Sequence, residues 1–310
     1  MILTVTLNPS VDISYKLETL SINDVNRVSD ASKTAGGKGL NVSRVIRQLE
    51  GEVVACGFLG GSLGNFIRKE LEVYTIKDSF VEIEKDTRNC IAIIHEGKQT
   101  EILESGPEIN KQEEKTFIQV FEAALKNVEI ITISGSLPKG VNTDFYKSLI
   151  EIAGKHGKQV LLDTNGKTLG NTLKDEVKPY LIKPNQSEIA ELLNVPDLST
   201  TKLIEELQSP IFQDISWIVV TMGDRGAIVK YNQNLYKVTP PKIDAINPVG
   251  SGDSVIAGFA VGLSKGLEDE NLIKYGLTMG VLNAGEEQTG FVNVDKIDWC
   301  MNEMIVERLI

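Results

Sequence analysis

The chain has 310 residues, 41% of them hydrophobic and 24% charged, which is enough apolar side chain for one large or two modest soluble cores. Its net charge of -11 excludes an electrostatic attraction to nucleic acid or to an anionic membrane, so we expect neither partner. The cysteines and the two histidines are too scattered for a zinc site. The N-terminus has no basic leader and the chain has no long apolar run, so we expect a cytoplasmic protein.

Short apolar runs alternate with amphipathic helical patterns along the chain. The predicted strands are Ile2–Leu7, Val53–Phe58, Ile130–Ile133, Val160–Asp163, Tyr180–Lys183 and Trp217–Thr221. The predicted helices are Asn41–Leu49, Phe117–Leu125 and Phe145–Ala153. Continuous apolar strands separated by helices indicate an α/β fold, in which a mostly parallel sheet is covered on both faces.

Two segments, about 13–35 and 87–106, interrupt this alternation. They are rich in Thr, Val, Ile and charged residues and show partial alternation of apolar and polar positions. We expect antiparallel strands outside the parallel sheet, which form either a small lid or ordinary surface hairpins. No repeat or low-complexity linker divides the chain, so we interpret residues 1–310 as one domain that carries this lid.

Polar side chains follow several of the predicted strands. Asp12 comes soon after the first strand, and Ser136, Asp163, Lys183 and Thr221 come at or just after later ones. In open α/β sheets, ligands bind outside the carboxyl ends of the strands. These segments are therefore expected to meet at one edge of the sheet.

The strongest chemical signal is the run Gly250, Ser251, Gly252 and Asp253, which opens directly into an apolar helical pattern. The glycines allow close approach of backbone N–H groups, and a helix N-terminus attracts anions. A carboxylate beside a bound anion suggests a base, and phosphoryl transfer to a hydroxyl needs both parts. The alternative is a helix that Ser251 or Asp253 simply caps.

Two other phosphate-binding patterns are missing from the chain. No G-x-x-x-x-G-K-[ST] run occurs, which excludes a Walker-type loop. Val255 stands where a dinucleotide-binding turn has its third glycine, which argues against a nicotinamide-dependent dehydrogenase. A second glycine cluster, 36–41, brings Lys38 and Asn41 to another helix start, where they could serve a polyol or lie in a tight loop with Lys38 in solvent.

Two further patterns each allow two interpretations. Asn185 and Glu188 have the spacing of a helix capping box, and the same pair could hold the waters of a Mg²⁺ ion. The glycine-bearing turn 221–227 could wrap a nucleotide or close a hairpin. Arg88, at the start of a predicted lid strand, could equally be a solvated surface side chain.

Together these segments resemble the phosphofructokinase B, or ribokinase-like, family of sugar kinases over essentially the whole chain. The resemblance rests on the run Gly36–Val42 and the run Asn247–Gly258. It implies a three-layer α/β/α domain with a β-lid that pairs with its twin in a homodimer. It also implies ATP and Mg²⁺ as cofactors.

The resemblance implies a role for each matching residue. Asp253 matches the catalytic base, and residues 250–252 match the anion hole. The sugar-side matches are Asp12, Gly37 and Asn41 for hydroxyls, Lys38 where some relatives have glycine, Arg88 and Ser136 for the sugar's own phosphate, and Arg27 for the partner subunit's site. The nucleotide-side matches are Lys183, Asn185, Thr221, Gly223, Gly226 and Asn283, with Glu188 as the metal-associated acid.

Within this family, the runs 6–12 and 133–138 resemble the hexose-phosphate branch. The runs 87–93 and 95–104 are similar to tagatose-6-phosphate kinases, with 1-phosphofructokinases as the alternative. The resemblance implies phosphorylation of the C1 hydroxyl of D-tagatose 6-phosphate. A non-catalytic sugar-phosphate sensor on the same fold is the alternative from another class, although a pure binder gains nothing from a carboxylate at position 253.

Overall fold

The protein is described by a computed structural model that covers residues 1–174, 176–195 and 198–310. The strands are β1 (Ile2–Thr6), β2 (Ser10–Leu17), β3 (Asp30–Gly36), β4 (Val53–Leu59), β5 (Lys77–Asp78), β6 (Val81–Glu82), β7 (Arg88–His95), β8 (Lys98–Leu103), β9 (Ile130–Ser134), β10 (Gln159–Asp163), β11 (Leu181–Ile182), β12 (Trp217–Thr221), β13 (Ala227–Tyr231), β14 (Asn234–Thr239) and β15 (Ile305–Arg308). The α-helices are α1 (Lys38–Gln48), α2 (Gly61–Val73), α3 (Lys111–Ala124), α4 (Phe145–Lys155), α5 (Gly166–Thr172), α6 (Gln186–Leu193), α7 (Thr200–Glu206), α8 (Ser251–Ser264), α9 (Asp269–Ala284) and α10 (Ile297–Glu303).

The central sheet has the strand order β15-β14-β13-β12-β11-β10-β9-β1-β4-β5, and β6 also pairs with β4. The pairs from β5 to β12 are parallel, and those from β12 to β15 are antiparallel. All six predicted strands and all three predicted helices are confirmed within a few residues. The antiparallel strands β13–β15 were not predicted.

Helices cover both faces of this sheet, as predicted. Successive strand residues point to opposite faces, so Ile2 lies in one apolar core while Leu3 lies in the other. Side chains of α1, α2, α8, α9 and α10 pack in the first core, and those of α3 to α7 pack in the second. The fold is therefore three-layered α/β/α of the ribokinase-like type.

A second, four-stranded sheet of order β3-β2-β7-β8 lies outside the central sheet. It confirms the predicted strand-forming segments, although 18–29 is a connection between β2 and β3. The expected antiparallel pairing is wrong for one pair, since β2 and β7 run parallel with Ser10 opposite Arg88. Both strands start beside Asn8, whose carbonyl accepts from Arg88, and therefore leave the central sheet in the same direction.

Helix α8 fixes the position of the glycine turn at its N-terminus. Its side chains are buried from Asp253 to Gly262, and it packs between α1 and α9. Its Gly258 lies against α9, where an added Cβ would come 2.9 Å from the Gly276 Cα. Among the helices in the described ranges, none has the length and apolar character that a membrane span requires.

Candidate active site

The turn that precedes α8 presents free backbone donors. Gly250 has a φ of 82°, and a Cβ there would come 2.6 Å from Thr289 Cγ2, so the position favours glycine. The N–H groups of Gly252 and Asp253 donate to no acceptor in the described part of the chain. Unpaired first-turn donors at the positive end of a helix are the arrangement that the predicted anion site requires, and the binding of an anion there stays a prediction.

Asn283 holds the main chain around this turn by hydrogen bonds. Its side chain is fully buried, its Nδ2 donates to the Val249 carbonyl over 2.9 Å, and its Oδ1 accepts from the Gly290 N–H over 2.9 Å. Both polar atoms of the amide thus bind the main chain around the turn. The predicted adenine-side role of Asn283 stays a prediction.

Asp253 lies at the first turn of α8 with only 5% of its surface exposed. Asn41 Nδ2, from α1, donates to its Oδ2 over 2.8 Å. Burial and the nearby Asp163 raise the pKa of Asp253 to about 6, although Lys38, Asn41 and Lys183 oppose the shift. A carboxylate with such a pKa is suited to accept a proton near neutral pH.

Two lysines meet at the buried Asp163, which ends β10. The Asp163 Oδ1 lies 3.4 Å from Lys38 Nζ and 3.5 Å from Lys183 Nζ. The Lys183 ammonium also lies against the turn, because a Cβ on Gly252 would come 2.9 Å from its Nζ. These local cations can hold an anion despite the protein's net negative charge.

Asp12 faces the second glycine cluster from the lid strand β2. Ser10 Oγ donates to its Oδ1 over 2.7 Å, and a Cβ on Gly36 would come 2.0 Å from its Cγ, so the loop passes directly over the carboxylate. Gly37, with a φ of 105°, then begins α1. Burial raises the pKa of Asp12, and the Ser10 hydrogen bond and the charge of Arg44 oppose the shift.

Arg88 and Ser136 both contact the region around Asn8 at the base of the lid. Arg88 donates to the carbonyls of Glu104 over 2.7 Å and of Asn8 over 3.0 Å. Asn8 Nδ2 donates to Ser136 Oγ over 3.3 Å. A cleft of about 470 Å³, which Arg88 and Lys85 help to line, opens beside them. The two predicted phosphate-binding residues are therefore neighbours.

The loops after β11 and β12 lie side by side. Asn185 forms a bridge with Thr221, and the Thr221 N–H donates to the Pro184 carbonyl over 3.1 Å. Gly223 and Gly226 have φ values of 63° and 87° in the turn that connects β12 to antiparallel β13. This turn closes a hairpin, the simpler of its two interpretations, and still lies at the same edge of the sheet.

The comparison with known proteins agrees with this geometry. Residues 5–296 match the model of the pfkB family carbohydrate kinases. The chain belongs to that family. A provisionally named phosphofructokinase from Staphylococcus aureus is 30% identical with a TM-score of 0.85, and the match covers 100% of this chain and 99% of that one.

Two further solved structures are similar to this chain over nearly their whole length. A possible 1-phosphofructokinase from Thermotoga maritima is 26% identical with a TM-score of 0.90, and the match covers 100% of this chain and 99% of that one. The phosphofructokinase-2 of Escherichia coli, solved in complex with fructose-6-phosphate, is 26% identical with a TM-score of 0.86, with 97% and 98% covered. The chain is thus a sugar-phosphate kinase of the pfkB family.

Glu188 forms the predicted capping box. Its Oε2 accepts from the Asn185 N–H over 2.8 Å, and its own N–H donates to Asn185 Oδ1 over 2.9 Å. Its negative charge also contributes to the raised pKa of Lys38, for which Asp163 is the main cause. Over the described ranges, no three His, Cys, Asp or Glu side chains cluster closely enough to form a metal-ligand set by themselves.

The structure brings together most of the predicted site residues of this pfkB kinase, but Arg27 lies elsewhere. It is exposed on the 18–29 connection of the lid. Sequence reasoning placed Asp163 at the right sheet edge without giving it a role. It missed Arg44 entirely, although an arginine three residues after Asn41 on a largely apolar helix was a usable signal.

Proposed function

We propose that the protein transfers the γ-phosphoryl group of ATP to the C1 hydroxyl of D-tagatose 6-phosphate, giving D-tagatose 1,6-bisphosphate. The observation that carries the proposal is the buried Asp253 carboxylate beside the unpaired N–H groups of Gly252 and Asp253 and beside the Lys183 ammonium. Donors for a transferring phosphoryl group and a base for an attacking hydroxyl are thus adjacent.

In the proposed reaction, Asp253 accepts the proton of the C1 hydroxyl as its oxygen attacks the γ-phosphorus. The bond from that phosphorus to the β–γ bridging oxygen breaks, and ADP leaves. The N–H groups from Gly250 to Asp253, of which those of Gly252 and Asp253 are unpaired, hold the phosphoryl oxygens, and Lys183 neutralises developing charge next to them. Lys38 contacts the same Asp163 oxygen as Lys183 and supplies a second cation.

The sugar is held from the lid side in this proposal. Asp12, Gly37 and Asn41 bind its hydroxyls, since a carboxylate, a backbone N–H and an amide suit a polyol. Arg88 and Ser136, with Lys38, bind the 6-phosphate and so place C1 in line with the γ-phosphorus. Planar guanidinium groups recognise phosphate oxygens well.

The nucleotide occupies the loops after β11 and β12 in this proposal, with Lys183, Asn185, Thr221, Gly223 and Gly226 as its contacts. Mg²⁺ would be held near Glu188 and would neutralise the β- and γ-phosphates. The donor chemistry fits, because the capping contact uses Glu188 Oε2 and leaves the other carboxylate oxygen for a water of the ion. Mg²⁺ also retains waters and needs few carboxylates.

A homodimer through the lid is part of the proposal, with Arg27 reaching the partner's site. Four large apolar side chains of the lid region support it because they are strongly exposed. They are Ile22, Val25, Ile102 and Leu103. In the proposed dimer, the partner's lid would cover these side chains.

The second candidate function is that of a 1-phosphofructokinase, and fructose 6-phosphate is a further candidate substrate. The similarity to the Thermotoga maritima protein favours 1-phosphofructokinase activity. The similarity to the Escherichia coli phosphofructokinase-2 favours fructose 6-phosphate as the substrate. The sugars differ in phosphate position or in one hydroxyl configuration, so only a direct assay separates them.

The experiment is ADP release from ATP with four acceptors: tagatose 6-phosphate, fructose 6-phosphate, fructose 1-phosphate and ribose. We expect the highest kcat/KM with tagatose 6-phosphate. Activity with fructose 1-phosphate alone would favour 1-phosphofructokinase. Stoichiometric sugar-phosphate binding without ADP release would favour the sensor, and NAD(H) binding would favour a dehydrogenase.

A further inference from the structure

Arg44 is a buried cation near the carboxylates of Asp12 and Asp253. It lies on α1, one helical turn after Asn41, and is only 4% exposed. A buried guanidinium is costly unless it is paired and hydrogen-bonded. Arg44 donates to Asn41 Oδ1, to the Ala35 carbonyl and, over 3.3 Å, to the Thr289 carbonyl.

These bonds determine which way the Asn41 amide faces. A guanidinium only donates hydrogen bonds, so it requires the amide oxygen of Asn41 on its side. The amide nitrogen then points the other way, where Nδ2 donates to Asp253 Oδ2 over 2.8 Å. A flipped amide would put N–H groups against the guanidinium and leave the carboxylate without this donor.

The same guanidinium connects three parts of the site. Ala35 is in the lid strand β3, Asn41 is on α1, and Thr289 follows α9 and packs beneath the Gly250 turn. Gly290 allows the close approach, because a Cβ there would come 3.2 Å from Arg44 Nη2. Arg44 therefore links the sugar side of the site to the phosphoryl side.

We propose that Arg44 is a positioning residue for phosphoryl transfer, which acts by holding the Asn41 amide in the orientation that donates to Asp253. The inference rests on the proposed function, in which Asp253 is the base. It assigns Arg44 no contact with either substrate.

The test compares Arg44→Met with the matched control Arg47→Met in the ADP-release assay. Arg47 is also on α1 but donates to the Gly51 carbonyl and to Thr75, away from the site. Misplacement of a catalytic group can cost about 10²-fold, so we expect a loss of that order in kcat for Arg44→Met with unchanged KM for ATP. The control should keep wild-type kcat.

The pH profile separates positioning from a general loss of structure. Asp253 is influenced by Asp163, Lys38, Asn41 and Lys183, and the charge of Arg44 also acts on it. Arg44→Lys keeps that charge, so its acid limb shows the contribution of the Asn41 amide alone. Loss of the Asn41 donor removes a contact that favours the ionised carboxylate, so the acid limb of kcat should move to higher pH. An unmoved acid limb would overturn the inference.

A double-mutant cycle tests whether Arg44 acts through Asn41. In an Asn41→Ala background, Arg44→Met should lower kcat by no more than about twofold, since residues that act as a unit are not additive. An equal loss in both backgrounds would overturn the inference. Should Arg44→Met fail to fold, Arg44→Lys keeps the charge without the planar donors. We then expect a smaller change in the same direction, and a wild-type kcat and pH profile would contradict the inference.

Asp253→Asn, measured alongside, separates the two proposals. Near-normal turnover in that variant would contradict the proposed function itself. An inactive Asp253→Asn together with an unaffected Arg44→Met would contradict only the role of Arg44.

Discussion

The two sides of the active site are built on different supports. The phosphoryl side lies at the N-terminus of α8, which is buried between α1 and α9. The sugar side lies partly on α1 and partly on the lid, where β7 is half-buried and β8 is exposed over its whole length. In the proposed reaction, the buried support holds the groups that act on the phosphoryl group, while the lid carries Asp12 and Arg88 for the sugar phosphate. Substitutions on the two sides should therefore affect different kinetic constants.

Apart from replacement of Asp253 itself, the largest effect is expected from Gly250→Ala on the buried side. The added methyl group would clash with Thr289, and Gly250 has a left-handed φ that alanine rarely adopts. The turn must therefore move, and its N–H donors move with it. We expect kcat to fall by about 10²- to 10³-fold, the typical cost of losing a donor to a developing anion. Gly266→Ala is the matched control, because its φ is 73° with no atom within 4 Å of the new methyl group. Equal activity of the two variants would argue against an anion role for the turn.

On the lid side, Arg88→Ala should mainly weaken sugar-phosphate binding. Hydrogen bonds to charged groups contribute about 1.5–3 kcal/mol, so we expect KM for the sugar phosphate to rise roughly 10- to 100-fold while kcat changes less. The control is Arg68→Ala, because Arg68 pairs with Asp78 and Glu82 on the surface of α2. An unchanged KM would show that Arg88 only joins the lid to Asn8.

The pH dependence of kcat/KM should report the ionisation of Asp253 on the buried side, because this ratio follows the pKa values of the free enzyme. Burial and Asp163 raise the pKa of Asp253 to about 6, and a base must be ionised to act. Activity should therefore level off above this pH and fall about tenfold per pH unit below it. Steady-state kinetics from pH 5 to 8, with circular dichroism to show that the fold persists, provide the measurement. A flat profile in a rate limited by chemistry would exclude Asp253 as the titrating base.

The smallest effect on chemistry is expected from Ile102→Glu, on the exposed lid strand β8. If the lid forms a homodimer, this charge should shift sedimentation toward the monomer while the fold persists. Val73→Glu on α2 is the control, since Val73 is also strongly exposed but lies outside the lid. Dimers of unchanged stability in the lid variant would place the interface elsewhere.

Sequence periodicity predicted the parallel part of the sheet well, because strands buried on both faces read as continuous apolar runs. It missed β13–β15, where the half-buried Lys230 and the exposed Lys237 interrupt the apolar pattern. The pairing of β2 with β7 was predicted in the wrong direction, since pairing depends on where distant segments start.

The candidate site, like the fold, was predicted only in part. The turn at Gly250 and the strand-end residues could be found from local patterns. The contacts of Asp163 with two lysines, and of Arg44 with Asn41, join residues distant in the chain or buried in a helix face. A single sequence carries little trace of such contacts, because each residue type there also has common structural uses.

The most direct test of the account is Asp253→Asn, which keeps the side-chain shape and removes the base. We expect kcat to fall by about 10²- to 10⁴-fold while the Kd for ATP, from titration calorimetry, stays the same. Turnover within about tenfold of the wild type, in a folded variant that binds ATP normally, would contradict the role of this carboxylate.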